Sequence, residues 1–321
     1  MKGAVPSVDG GRIHWKVTNL PEPQVGADQI LLKVRASSIN RGESVLLRSK
    51  LPSGAGGIDA AGEVVAVGSK VSRFRIGDRV AGRCAGGFAQ LAAMNEFEGI
   101  EIPADVGFEQ AACLPVSFVV AHDALVVNGR FSPGESVLIT GVTSAVGVAT
   151  LALARYLRAS MVIGTSRSPT KLEKLKPFGL DAGLPSAAGE LAAAVKKATS
   201  ERGADIAIDT VGAALFHDVL DCLAVDGRYA TIGQMSGSPK VELDMDRFAM
   251  RRLHLFGVSN RLRTPPQKAA SAQRFASEIM PAIAKGEMRP IIDAVFPLDD
   301  VEAAHAHVYA DRQVGKVVIR I

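Results

Sequence analysis

The sequence predicts an α/β protein in two parts: a β-rich domain, then a parallel sheet whose strands alternate with helices. Two observations predict this. To about residue 118 the chain is a succession of short β-branched runs broken by glycine turns, as in GEVVAVGSKV and GDRVAGR. From Ser136 onward, short and nearly continuous apolar runs alternate with helical stretches. That is the pattern of strands covered on both faces and joined by right-handed crossovers. A length of 321 residues gives room for two domains, each with its own core.

In the first part, Ile30–Ile39 (ILLKVRASSI) reads as a strand. The strand candidates of the second part are Ser136–Gly141, Met161–Ser166, Asp205–Val211, Arg228–Gly233 and Leu253–Val258. Between them, VGVATLALARYLR and ELAAAVKKATSER read as helices. After Ser259 the character shifts again. Two prolines open a helix that runs to GEM, Asp299–Ala310 reads as a further helix, and GKVVIRI reads as a final strand. This tail is expected to rejoin the first domain.

The net charge of +4 comes from scattered Lys and Arg, with no basic run interleaved with aromatics. Nucleic-acid binding is therefore not expected, whereas a mild positive field suits an anionic ligand. Three cysteines, Cys84, Cys113 and Cys222, are odd in number and far apart, and they read as reduced thiols of a reducing compartment. The first residues lack an apolar core of signal-peptide length, and no uninterrupted apolar run reaches a membrane span. A cytoplasmic protein is the expectation.

The sharpest local signal is SVLITGVTSAVGVATLALA. A strand ends at Gly141, a small-residue turn follows, and a helix opens near Ala145. Such a turn lets backbone N–H groups approach a pyrophosphate at a helix N-terminus. Set against the G-x-G-x-x-G pattern, the first two glycine positions hold Val142 and Ser144, and only Gly147, the helix-packing glycine, is kept. An NAD site places Asp or Glu at the end of the next strand. Here that stretch reads GTSRSPTKLEK, with Arg167 and Lys171 where a carboxylate is wanted. A guanidinium forks onto a 2′-phosphate and an ammonium adds charge, so the expected cofactor is NADPH.

With these residues in view, the chain resembles the medium-chain dehydrogenase/reductase superfamily, and within it the zinc-independent quinone oxidoreductase (zeta-crystallin-like) branch. The resemblance rests on five segments in order: Gly57–Val80, the stretch GGFAQLAAMNEFEGIEIPADVGFEQAACLPVSFVVAHDAL, GADIAIDTVG, GRYATIG and GKVVIRI. It implies a discontinuous GroES-like catalytic domain (1–118 and 259–321) and a doubly wound parallel-sheet (Rossmann) domain (119–258). The active site would lie in the cleft between them. It also implies roles. Ser144, Ala145, Val146 and Gly147 would lie under the pyrophosphate, and Ser166, Arg167 and Lys171 would hold the adenosine phosphate. Thr210 and Val211 would flank the adenine side, and Ile232, Gly233, Val258 and Ser259 the nicotinamide end. Asn40 sits where this branch often has a polar residue beside the substrate, and it is the candidate catalytic residue. A homodimer is what the resemblance suggests.

Zinc-dependent relatives need a Cys after an early strand, a Gly-His-Glu segment and a further ligand. The corresponding positions read Ser37–Asn40 and Gly57, Ile58, Asp59, and a four-cysteine lobe is missing. His305 and His307 are two apart and point to different faces of a helix. No metal site is expected. The implied activity is NADPH-dependent reduction of quinones or α,β-unsaturated carbonyls by metal-free hydride transfer, with solvent supplying the proton. Two alternatives stand beside it: an enoyl-thioester reductase, and an NADPH-binding sensor or structural protein with little turnover. Tyr156, Tyr229 and Tyr309 are expected to be structural, Cys84, Cys113 and Cys222 core fillers, Trp15 packing, and Arg41 with Glu43 a surface pair. His122 is expected in the core or facing solvent.

Overall fold

The computed structural model describes all residues except 187, 188, 234 and 236–238, and the side chains of 45 and 46. The first stretch of chain forms β1 (Lys2–Asp9), β2 (Arg12–Asn19), β3 (Gln29–Ser38), α1 (Glu43–Ser49), β4 (Asp59–Val67), β5 (Arg79–Arg83), β6 (Leu91–Asn95), β7 (Gly99–Glu101) and α2 (Phe108–Ala112). The middle forms α3 (Val119–His122), β8 (Ser136–Ile139), α4 (Ala145–Tyr156), β9 (Met161–Ser166), α5 (Pro169–Glu173), β10 (Ala182–Pro185), α6 (Leu191–Ala198), β11 (Ala204–Asp209), α7 (Phe216–Cys222), β12 (Leu223–Thr231), α8 (Met245–Met250) and β13 (His254–Gly257). The tail forms α9 (Pro265–Ala284), β14 (Ile292–Pro297), α10 (Val301–Tyr309) and β15 (Lys316–Arg320). Two compact units result: Met1–Val119 with Arg263–Ile321, and Val120–Leu262.

In the first unit, β1 and β2 form an antiparallel hairpin. A seven-stranded sheet runs β14-β15-β3-β4-β5-β7, with β6 also pairing β3. Residues of β3 alternate inward and outward until Ala36, after which Ser37 and Ser38 are both buried. That change of pattern has a cause: β15 and β4 flank the strand there on both edges. Ile30, Leu32, Val34, Val64, Val80 and Met94 form one core. Trp15, Ile39, Leu47, Phe88, Val301 and Val308 form another beneath α10. The long helix α9 starts at a capping box between Thr264 and Gln267 with proline at its first turn, and it buries Phe275, Ile279 and Ile283.

In the second unit, six strands in the order β10-β9-β8-β11-β12-β13 pair in parallel throughout. From β8 the chain winds one way to β9 and β10, and from β11 the other way to β12 and β13. The topological switch point therefore lies between β8 and β11, where ligands of such sheets bind beyond the carboxyl ends of the strands. Five of the strands coincide with the apolar runs of the sequence. The sixth, β10, was not expected. Its four residues include Gly183 and Pro185 and alternate in burial, which is edge-strand chemistry without a strong apolar signal. The helical run Phe108–Asn128 is long and apolar enough to cross a membrane by composition, yet most of it is buried inside the protein, as a core helix is.

Candidate cofactor site and active-site residues

Every cofactor position named from the sequence lies at the carboxyl edge of the parallel sheet of the second unit. The β8–α4 turn carries Ser144, Ala145, Val146 and Gly147, and β9 ends at Ser166 with Arg167 next. Thr210 and Val211 follow β11, Ile232 and Gly233 follow β12, and Val258 and Ser259 follow β13.

The turn is built by close backbone approach. Gly141 adopts φ +59°, and a Cβ there would lie 2.7 Å from Thr210 Oγ1. Its carbonyl accepts from the Ser144 N–H at 2.9 Å, while the Val142 N–H donates to the Thr165 carbonyl at 3.0 Å and ties the turn to β9. The Ser144 hydroxyl caps α4 by accepting from the Gly147 N–H at 3.1 Å. A Cβ at Gly147 would sit 2.6 Å from the carbonyl oxygens of both Gly141 and Val142, so this position admits only glycine. The N–H groups of Ala145 and Val146, in the first turn of a twelve-residue helix, have no intrahelical acceptor. With the helix dipole they make an anion cradle, and the geometry fits a dinucleotide pyrophosphate.

At the end of β9, Ser166 is buried and accepts from the Ser168 N–H at 3.2 Å. Ser168 caps the short helix α5. Arg167 is exposed and Lys171 half-buried on this rim. The first carboxylate in the sequence after β9 is Glu173.

Asn40, in the first unit, lies in a buried polar cluster. Its Nδ2 donates to Asp59 at 2.8 Å and faces the Ser38 carbonyl and Glu43, each at 3.1 Å. Its Oδ1 accepts from Lys316 Nζ at 2.9 Å. The fully buried Asp59 accepts in addition from the Ser38 N–H at 2.8 Å, the Ser38 hydroxyl at 2.7 Å and the Ser37 hydroxyl at 3.2 Å. Two amide hydrogens thus serve three acceptors, and the side chain is held from both ends. Burial, with Asp59 next in effect, pushes the Glu43 carboxyl up to about 8.

The cluster corrects one expectation. Arg41 and Glu43 are not a surface pair. Glu43 is buried and turns inward to Asn40, whereas Arg41 pairs with Asp311 and donates to the Val308 carbonyl at 2.7 Å. Cys113 and Cys222 are buried as fillers, Cys84 is partly exposed, and all three are free thiols. Trp15 and His122 are buried. Sequence reasoning missed Glu43 and Lys316. The signal for Lys316 was a lysine opening a strand whose next three residues are apolar.

Among the described residues no three His, Cys, Asp or Glu side chains converge on one point. Asp59, in the position of the Gly-His-Glu segment, is filled by hydroxyl and amide donors.

Comparison with known proteins agrees with this architecture. Residues 26–124 match the alcohol dehydrogenase GroES-like domain, and residues 145–276 match the zinc-binding dehydrogenase family. The chain is 30% identical over 269 residues to a quinone oxidoreductase-like protein 2 homolog of Nematostella vectensis, covering 82% of this chain and 72% of that one. It is 29% identical over 303 residues to the highly reducing polyketide synthase gloL of Glarea lozoyensis, covering 93% of this chain and 12% of the synthase. The chain thus spans about an eighth of the length of the polyketide synthases it matches. Among solved structures, mycobacterial Rv1454c complexed with NADPH superposes with a TM-score of 0.88 at 26% identity over the whole of both chains.

Proposed function

The chain belongs to the quinone oxidoreductase branch of the medium-chain dehydrogenase/reductase superfamily, and on that premise we propose that it is a zinc-independent, NADPH-dependent reductase of quinones or α,β-unsaturated carbonyls. One observation carries the reading. The carboxyl edge of the parallel sheet joins a capped helix N-terminus, for a pyrophosphate, to a β9 end that offers Arg167 and Lys171 and no carboxylate. The mycobacterial structural relative was solved with NADPH, which supports the same choice of nucleotide.

NADPH, when bound, supplies a hydride. Ser144, Ala145, Val146 and Gly147 would hold its pyrophosphate through backbone N–H groups. Ser166, Arg167 and Lys171 would hold the 2′-phosphate by charge-assisted bonds. Thr210 and Val211 would flank the adenine side, and Ile232, Gly233, Val258 and Ser259 the nicotinamide end. An acceptor that takes up a hydride develops an oxyanion that needs a donor. Asn40 is the candidate donor in the first unit. Of the acceptors around its Nδ2, the Ser38 carbonyl and Glu43 make the longer contacts, and these are the ones an incoming oxygen would displace. Solvent completes the product with a proton.

A second reading, an enoyl-thioester reductase, draws on the similarity to one segment of a polyketide synthase. We further propose a cytoplasmic homodimer with small-molecule partners. Its supporting feature is β13, an outer strand of the sheet paired only to β12 among the described residues, with Leu255 41% exposed on it.

The test is oxidation of NADPH and NADH by the purified chain against a panel of quinones, enones and acyl thioesters, with metal analysis of the same preparation. Turnover of quinones or enones, preferring NADPH and insensitive to chelators, is expected. Preference for thioesters would transfer the assignment to the second reading. Saturable NADPH binding without oxidation by any acceptor would make this a binding protein, and stoichiometric zinc would contradict the metal-free mechanism.

A further inference from the structure

Asp209, the last residue of β11, is fully buried, and its carboxylate accepts four hydrogen bonds. Oδ1 takes the Thr140 hydroxyl and the Val211 N–H at 2.9 Å. Oδ2 takes the Tyr229 hydroxyl at 2.5 Å and the Gly212 N–H at 3.0 Å. A buried carboxylate is costly unless its lone pairs are met, and here two hydroxyls and two backbone amides meet them.

The donors come from three different strands and the loops that follow them. Thr140 directly follows β8 and leads into Gly141. Its hydroxyl also accepts from the Thr210 N–H at 3.0 Å, and its carbonyl accepts from the Thr210 hydroxyl at 2.8 Å. Val211 and Gly212 form the loop after β11. Tyr229 lies within β12, and the Asp209 carbonyl accepts from the Ile232 N–H at 2.9 Å just beyond that strand. The Asp209 side chain therefore ties Thr140, Val211, Gly212 and Tyr229 together, with Thr210 joined through Thr140 and Ile232 through the Asp209 backbone carbonyl. Burial, then the Asp209 carboxylate itself, holds the Tyr229 phenol far above the ordinary tyrosine range, so it remains a donor.

We propose that Asp209 is a positioning residue that, through Tyr229 and Thr140, locks the strand ends on either side of the switch point into the arrangement that receives the dinucleotide. The proposal rests on reading this edge as a dinucleotide site. It goes beyond that reading by assigning affinity for the cofactor to a side chain that lies beneath the site.

The experiment uses Tyr229→Phe and Asp209→Asn in the full chain. Tyr229→Phe keeps the ring in the core and removes one donor, so it preserves the fold should Asp209→Asn fail to assemble. Three quantities are measured: NADPH affinity by calorimetry, KM and kcat for NADPH, and amide exchange of the 210–212 loop. Tyr229→Phe is expected to weaken NADPH about tenfold, the scale of one buried hydrogen bond. The KM should rise more than kcat falls, with faster exchange at Val211 and Gly212. Folded variants that bind NADPH as the wild type does would overturn the positioning role and leave the site reading intact. A wild type that binds neither NADPH nor NADH would overturn both.

Discussion

The His305 imidazole lies flat on the Trp15 indole, with ring centroids 4.3 Å apart and planes 13° from parallel, and Phe88 meets both rings edge-on. Both His305 nitrogens and Trp15 Nε1 are buried and lack a hydrogen-bond partner among the described residues. Burial lowers the imidazole from its ordinary 6.5 to about 3. The unfolded chain therefore takes up a proton below pH 6.5 that the folded chain refuses until about pH 3, and stability is lost as pH falls through that window. His305 alone should cost about 3 kcal/mol between roughly pH 6.5 and pH 4, read by denaturant titration as the difference between the wild type and a variant without the imidazole. His305→Phe, which keeps a ring in the stack, should lose clearly less. Parallel curves for the two proteins would refute this.

Glu43 acts in the opposite sense. Its carboxyl, raised to about 8, binds a proton in the folded state that the unfolded state releases above 4.5. Its contribution is full below 4.5 and is lost as pH rises through 8. Glu43→Gln, still able to accept from Asn40, should flatten the decline between pH 5 and pH 8 by on the order of 2–3 kcal/mol. The same titrations between roughly pH 5 and pH 8 check it, and an unchanged slope would count against it.

Gly147→Ala places a methyl group against two backbone oxygens at 2.6 Å. The helix must shift away from the turn. A stability loss of about 2 kcal/mol is expected from overpacking, with NADPH affinity reduced at least roughly tenfold. Thermal melts and calorimetry on one preparation separate the two effects. Wild-type affinity in a destabilised variant would detach the turn from cofactor binding.

Asn40→Ala removes the amide that joins Asp59, Glu43 and Lys316. Turnover is expected to fall by about tenfold or more, the cost of losing one transition-state donor, with NADPH affinity changed little. An unaffected rate would reduce Asn40 to a structural amide of the cluster.

The inner strands β8, β9, β11 and β12 and the glycine turn were legible because parallel strands covered on both faces are apolar nearly throughout, and Gly147 has no steric alternative. β13 was legible from its apolar residues although its edge is exposed. The edge strand β10 was not legible, since a half-exposed four-residue strand carries no such constraint. Asp209 was visible as a charge inside the apolar run DIAIDTV, but its partners Thr140 and Tyr229 are 69 and 20 residues away, and only the sheet register unites them. The polar cluster around Asn40 escaped for the same reason, its members coming from β3, α1, β4 and β15. Polar residues that look like surface in sequence become interior when distant strands close over them.

In the proposed site a 2′-phosphate at the end of β9 is what separates NADPH from NADH, and calorimetric titration of Arg167→Ala with both nucleotides decides whether it is held there. NADPH binding should weaken by roughly ten- to a hundredfold, the loss of one charge-assisted pair, while NADH binding stays nearly unchanged. Equal losses for both nucleotides, or none for either, would contradict it.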